Sequence, residues 1–185
     1  MEPSGKTHLY FIALVVDGEL AEKIRGLQLY GSETYHSKKA LRSPPHVTLI
    51  PPFREEISIE NILEEKLTPF FGTYHSFNVE LNGFGRFDSS VIFIQPEKNA
   101  YLQTMQENLH SYLSRNFSFI EPATRKFNPH VTIASGDLRK QYFKAAWQEF
   151  ESKNFSATWN VSSSHLLKHD GKRWNSVLEF SFGAE

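Results

Sequence analysis

Pro-His-Val-Thr occurs twice in this chain, at Pro45–Thr48 and Pro129–Thr132, with the two histidines 84 residues apart (46 to 130) in a chain of 185. A four-residue repeat can arise by chance, but here its surroundings repeat as well. Each copy follows a polar stretch with a basic residue, continues into apolar sequence and precedes a helix; the basic residues are Arg42 before the first copy, Arg125 and Lys126 before the second. Each copy reads as a short strand, in which residues i and i+2 share a face. His46 and Thr48 therefore point one way and Val47 the other, and likewise His130 and Thr132 against Val131. A spacing of nearly half the chain gives each half of the fold one copy.

The remaining elements fit around that repeat. Leu9 to Val16 is a continuous apolar run closed by Asp17-Gly18, which predicts a central strand. Asp17 is placed to cap a helix carrying Leu20, Ile24 and Leu27 on one face and ending at Gly31. Ser32 to Ser43 reads as a polar loop, in which Tyr35 and His36 are either lid residues or plain solvated surface. Ser58 opens a second helix with Ile59, Ile62, Leu63 and Leu67, stopping near Pro69. Phe77, Val79 and Leu81, then Val91 and Phe93, mark two strands around a turn-rich stretch from Gly83 to Ser90. A helix is expected from Asn99 to Phe117 with Leu102, Met105, Leu109, Tyr112 and Leu113 inward, and another from about Leu138 to Phe150. Strands near Phe155 to Leu167 and Ser176 to Phe182 are joined through Asp170-Gly171. The order β-α-β-α-β-β-α-β-α-β-β predicts an α+β fold of two similar, interleaved lobes sharing one groove, as a single domain over residues 1–185 with no linker.

Composition narrows the chemistry. Twenty Lys and Arg against 21 Asp and Glu leave a net charge of −1. A protein that wraps long nucleic acid is usually far more basic, so a nucleic-acid ligand here is expected to be short. With no cysteine, thiolate zinc sites, disulfides and cysteine nucleophiles are all excluded. The apolar run from Leu9 to Val16 is too short to span a bilayer, and no signal-type cleavage site follows it. A cytoplasmic protein is expected. Imidazole is the side chain that gains and loses a proton near neutrality, and a hydroxyl donates hydrogen bonds without adding charge. Two imidazoles and two hydroxyls around one space suit in-line displacement at a phosphodiester: one histidine deprotonates the attacking oxygen, the other protonates the leaving oxygen, and Thr48 and Thr132 hold the non-bridging oxygens.

The doubled His-x-Thr resembles the signature of the two-histidine (2H) phosphoesterases, the superfamily of the bacterial 2′-5′ RNA ligases and the RNA 2′,3′-cyclic phosphodiesterases. The resemblance covers nearly the whole chain. It takes in the opening strand and helix, Pro45-His-Val-Thr-Leu-Ile-Pro-Pro-Phe53, the segment Phe77 to Phe87 and the closing Leu178-Glu-Phe-Ser-Phe182. It implies a bilobal, pseudo-twofold arrangement of two antiparallel sheets with outer helices, and a metal-independent, cofactor-free site in the central groove. It implies catalytic roles for His46, Thr48, His130 and Thr132, and RNA ends, short oligonucleotides or cyclic-phosphate nucleotides as partners, with a 2′-phosphate product. No membrane or obligate protein partner is indicated. Many relatives carry a basic residue soon after the second motif, where this chain has Ser135-Gly136; Arg42, Arg125 and Lys126 are the candidates to replace it. Two rivals belong to other classes: a non-catalytic nucleotide- or RNA-binding module that binds without turnover, and a metal-dependent hydrolase that a chelator would inactivate.

The other histidines carry less. His165 and His169 are four apart, but a predicted strand would separate them by about 13 Å and no His-Glu-x-x-His motif is present. Phe53, Phe84 and Phe87 follow strands near the predicted groove and are the candidates to stack on a base, Phe53 foremost. Gly83-Phe84-Gly85 lacks a following helix start and reads as a turn.

Overall fold

The computed structural model describes residues 5–121 and 126–183. In chain order the elements are β1 (Thr7–Val15), α1 (Gly18–Tyr35), a 3-10 turn (Lys39–Arg42), β2 (His46–Glu56), α2 (Ile59–Phe71), β3 (Phe77–Phe87), β4 (Val91–Pro96), α3 (Ala100–Asn116), β5 (Val131–Ser135), α4 (Lys140–Ser152), β6 (Ser156–Val161), β7 (Ser163–His169) and β8 (Trp174–Ser181). They form two four-stranded antiparallel sheets, ordered β2-β1-β7-β8 and β5-β4-β3-β6. The fold is α+β, as expected. The two sheets interleave along the chain: β7 and β8 return from the C-terminal end to complete the sheet begun by β1 and β2.

The apolar run makes β1 a central strand, with Tyr10, Ile12, Ala13 and Leu14 fully buried between β2 and β7. In β3, buried Val79 and Leu81 alternate with exposed Asn78 and Glu80. α3 turns Leu102, Met105, Leu109 and Leu113 inward, and the Asn99 side chain accepts from the Leu102 N–H to cap it. Tyr112 is only half-buried.

Several elements depart from the sequence expectation. α1 runs past Gly31 to Tyr35 and ends where His36 takes a left-handed backbone (φ 60°). Its buried residues are Ile24, Gln28, Gly31, Ser32 and Tyr35, a helical face made mostly of small and polar groups that hydrophobic patterning does not register. Tyr35 is buried and its hydroxyl donates to Glu149, so it belongs to the α1–α4 contact and not to a lid. Asp17 sits at the N-cap position without a capping hydrogen bond. α2 continues through Pro69 to Phe71, because the fully buried Phe71 ring stacks on Phe180 (5.5 Å) and Phe182 (5.8 Å), which holds the last turn in place. Ile62 faces outward, 44% exposed. The stretch Phe155 to Leu167 holds two strands, β6 and β7, placed in different sheets. Among the described residues no helix is long and apolar enough to cross a membrane.

Candidate active site

Both His-x-Thr segments lie on edge strands. β2 is the edge of one sheet and β5 the edge of the other, and the two strands are in contact. The period of two holds in each: Val47 and Val131 are fully buried, while His46, Thr48, His130 and Thr132 are half-buried on the opposite face. His130 immediately precedes the first residue of β5.

The two rings are held in the same way. His46 Nδ1 lies 2.7 Å from the Pro44 carbonyl oxygen, and His130 Nδ1 lies 2.9 Å from that of Asn128. A carbonyl can only accept, so each Nδ1 carries a proton and donates it. Each Nε2 is then the atom left for proton transfer, as base when the ring is neutral and as acid when it is charged. A phenylalanine of the adjacent strand backs each ring: Phe11 of β1 at 4.9 Å from His46, and Phe93 of β4 at 5.4 Å from His130. Phe87 adds an edge contact to His130 at 4.8 Å. Phe87 was among the sequence candidates, whereas Phe11 and Phe93 escaped the sequence reading because they lie inside apolar strand runs and look like ordinary core.

Burial pushes the His46 ring down to about 4 from the ordinary imidazole value, and the neighbouring His130 adds to the push against the Pro44 hydrogen bond, which opposes it. The two imidazoles are therefore within electrostatic reach of each other. Burial lowers His130 as well, opposed by its bond to Asn128. In the free protein near neutrality both rings are neutral.

A groove of about 910 Å³ opens between the strands, with Thr48, Phe53 and Arg54 on one wall and Phe87, Lys126 and His130 on the other. Phe119 and Phe127 add to its apolar lining. Phe127 stands three residues before His130, a proximity along the chain that could have flagged it. His46 and Thr132 are not in this lining; each lies two residues along its strand from Thr48 or His130, which are. Of the expected substrate contacts, Phe53 and Lys126 line the groove. Phe53 is only 7% exposed and its ring stacks against both Tyr10 (5.9 Å) and Phe119 (5.0 Å), so it forms wall and offers little face to a base. Phe84 packs away from the groove on Phe150 and Phe155. Arg42 lines a separate cavity, and Arg125 lies outside the described residues. At Gly136, where the expected cation is lacking, φ is +70° and an added Cβ would meet Lys39 Cδ at 2.8 Å, so a lysine from before the first motif lies over the position. His165 is bonded to the Ser176 and Ser163 hydroxyls. Among the described residues no three histidine, aspartate or glutamate side chains converge as metal ligands.

Two antiparallel sheets that each bring a His-x-Thr edge strand to one groove define a two-histidine phosphoesterase fold. The family model described as the 2′-5′ RNA ligase superfamily matches residues 16–173. The chain belongs to that superfamily, the 2H phosphoesterases, and membership supports a phosphoesterase-type enzyme. No curated protein matches the sequence. Among solved structures, the Thermus thermophilus protein TT0787 is similar at 18% identity and TM-score 0.65, covering 96% of this chain and 100% of that one. E. coli LigT complexed with ATP is similar at 15% identity and TM-score 0.63, and LigT complexed with 3′-AMP at 16% and 0.60, each over 97% of this chain and 100% of LigT.

Proposed function

We propose that this protein is a cytoplasmic, metal-independent phosphoesterase acting on 2′,3′-cyclic phosphates or 2′-5′ linkages at RNA ends and nucleotides. The observation that carries the reading is the matched pair of Nδ1–carbonyl hydrogen bonds, which leaves an Nε2 of fixed tautomer in each motif. In hydrolysis of a cyclic phosphate, one Nε2 takes a proton from water as its oxygen bonds to phosphorus. The other Nε2–H gives its proton to the departing ribose oxygen as that P–O bond breaks. Thr48 and Thr132 donate to the non-bridging oxygens. The histidine driven furthest toward neutrality, His46, suits the base; His130, in the groove wall, takes the acid role once an anionic phosphate sits beside it and stabilises its charged form.

The test is a panel of cyclic-phosphate and 2′-5′-linked substrates assayed in EDTA, with products resolved as 2′- or 3′-phosphate. Turnover that survives the chelator and yields the 2′-phosphate is expected. Inactivation restored by zinc or magnesium would replace this reading with a metal-dependent hydrolase, and binding without turnover would leave a nucleotide-binding module.

A further inference from the structure

Charge is balanced over the whole chain but not locally. A cavity of about 370 Å³ has Lys38, Arg42, Lys172 and Arg173 in its wall and no carboxylate. All four are exposed, and among the described residues none is in a salt bridge. The nearby carboxylates are turned to the backbone: Asp137, between β5 and α4, accepts from the N–H groups of Lys38 and Lys39, and Asp170, between β7 and β8, from those of Lys172 and Arg173. Arg25 of α1, outside that wall, is a further cation nearby. One of its nitrogens donates to the Ser43 carbonyl and the other, Nη1, is buried without a partner. Burial lowers the Arg25 pKa and the positive Arg173 lowers it further, so these two like charges stand close together. A concave site lined by one sign of charge focuses field and gathers the opposite sign.

Shared and neighbouring residues place this cavity near the catalytic groove. Gly171 is shared with a cavity of about 440 Å³ lined by His169 and Arg54, and Arg54 is shared in turn with the groove that holds Thr48 and His130. Asp170 is the acidic residue in the wall of that middle cavity. Along the chain, Arg42 stands four residues before His46, a span of at most about 14 Å. Trp174, which follows Arg173, touches Phe11 at 4.6 Å, the ring that backs His46.

We propose that the basic cavity holds backbone phosphates of an RNA strand whose reacting end lies in the catalytic groove, so that the substrate is an oligonucleotide and not a mononucleotide. The location of the reacting end rests on the function proposed above; the polyanion site does not. A mononucleotide places its one phosphate at the histidines and leaves the cations unmatched. A strand repeats its charge at intervals short enough to fill both sites, and each phosphate neutralised releases counterions.

The experiment measures binding of a single-stranded RNA ten nucleotides long with a 3′-phosphate end, and of a 3′-mononucleotide, to the wild type and to K172Q/R173Q over a salt series. The two side chains are exposed on a turn held by backbone bonds to Asp170, so the variant is expected to fold. The ten-mer should bind the variant at least tenfold more weakly, with the log–log salt slope shallower by about 1.4, two single-strand contacts. The mononucleotide should be unaffected. Equal loss for both ligands, no loss for either, or equal affinity of the wild type for both would overturn the proposal. So would displacement of the ten-mer by inorganic triphosphate as readily as by unlabelled ten-mer, which would mark a site for free polyanions. Binding needs no turnover: length-dependent loss without hydrolysis would support the strand site while removing the catalytic reading.

Discussion

A histidine ring has two nitrogens, and in both motifs the one nearer the backbone is spent on the carbonyl two residues back. That arrangement makes single-residue changes interpretable. His46→Ala and His130→Ala should each lower turnover by about 10²–10⁴, the contribution of a positioned acid or base, with folding retained; wild-type rates in either variant would end the acid–base assignment. Thr48→Ala and Thr132→Ala should cost about 10²–10³ at most, and the serine variants should keep much of the activity because the hydroxyl is the working group. Serine variants as impaired as alanine would point to the methyl group and packing instead. The pH profile follows from the lowered histidines. With the proposed roles, the productive free form has His46 neutral and His130 charged, which requires a pH above about 4 and below the depressed value of His130. The bell of kcat/KM is therefore expected to peak on the acidic side of 6.5, its limbs belonging to the coupled pair. The alkaline limb of kcat should lie higher, because bound phosphate holds the acid's proton; a kcat/KM maximum above pH 8 would contradict the assignment.

Edge strands present unpaired backbone groups, and here each edge that carries a His-x-Thr motif has one carbonyl met by a glutamine from a helix that precedes a strand of the other sheet. Gln28 of α1 donates to the Thr132 carbonyl of β5 at 2.8 Å, and Gln106 of α3 donates to the Leu49 carbonyl of β2 at 3.1 Å. α1 runs into β2 yet packs on β5, and α3 runs into β5 yet packs on β2, so the helices are exchanged between the lobes. Gln28→Ala and Gln106→Ala should each lower stability by about 1–3 kcal/mol, measured by urea unfolding, because a strand carbonyl loses its partner. Each should also lower kcat more than it raises KM, since the strand it pins carries one of the histidines proposed as acid and base. Unchanged unfolding midpoints would show that water replaces the bond freely.

Protonating a buried neutral histidine opposes folding, and this acts on the molecule as a whole. The folded value for His46 is below the unfolded one, so the unfolded chain binds the extra proton first. Stability is complete above pH 6.5 and falls as the pH drops toward 4, by at most about 1.4 kcal/mol per pH unit for each such histidine. The melting temperature of His46→Gln should fall less steeply than that of the wild type across this window; parallel curves would contradict the depressed value. The sequence by itself determined the repeat, the side of each strand on which the His and Thr lie, and the apolar strands and helices, because these depend on local spacing. Val47 and Val131 entered the core as their period of two requires. Only the tertiary structure decided the rest. The extension of α1 to Tyr35 depends on Gly31 and Ser32 fitting against a sheet, and small or polar residues leave no apolar signal. The return of β7 and β8 to the first sheet, the exchange of helices and the gathering of Arg42 with Arg173 are contacts between residues far apart in sequence. No window of sequence contains both partners of such a contact, so their pairing was settled by packing, which follows from burying the whole apolar surface at once.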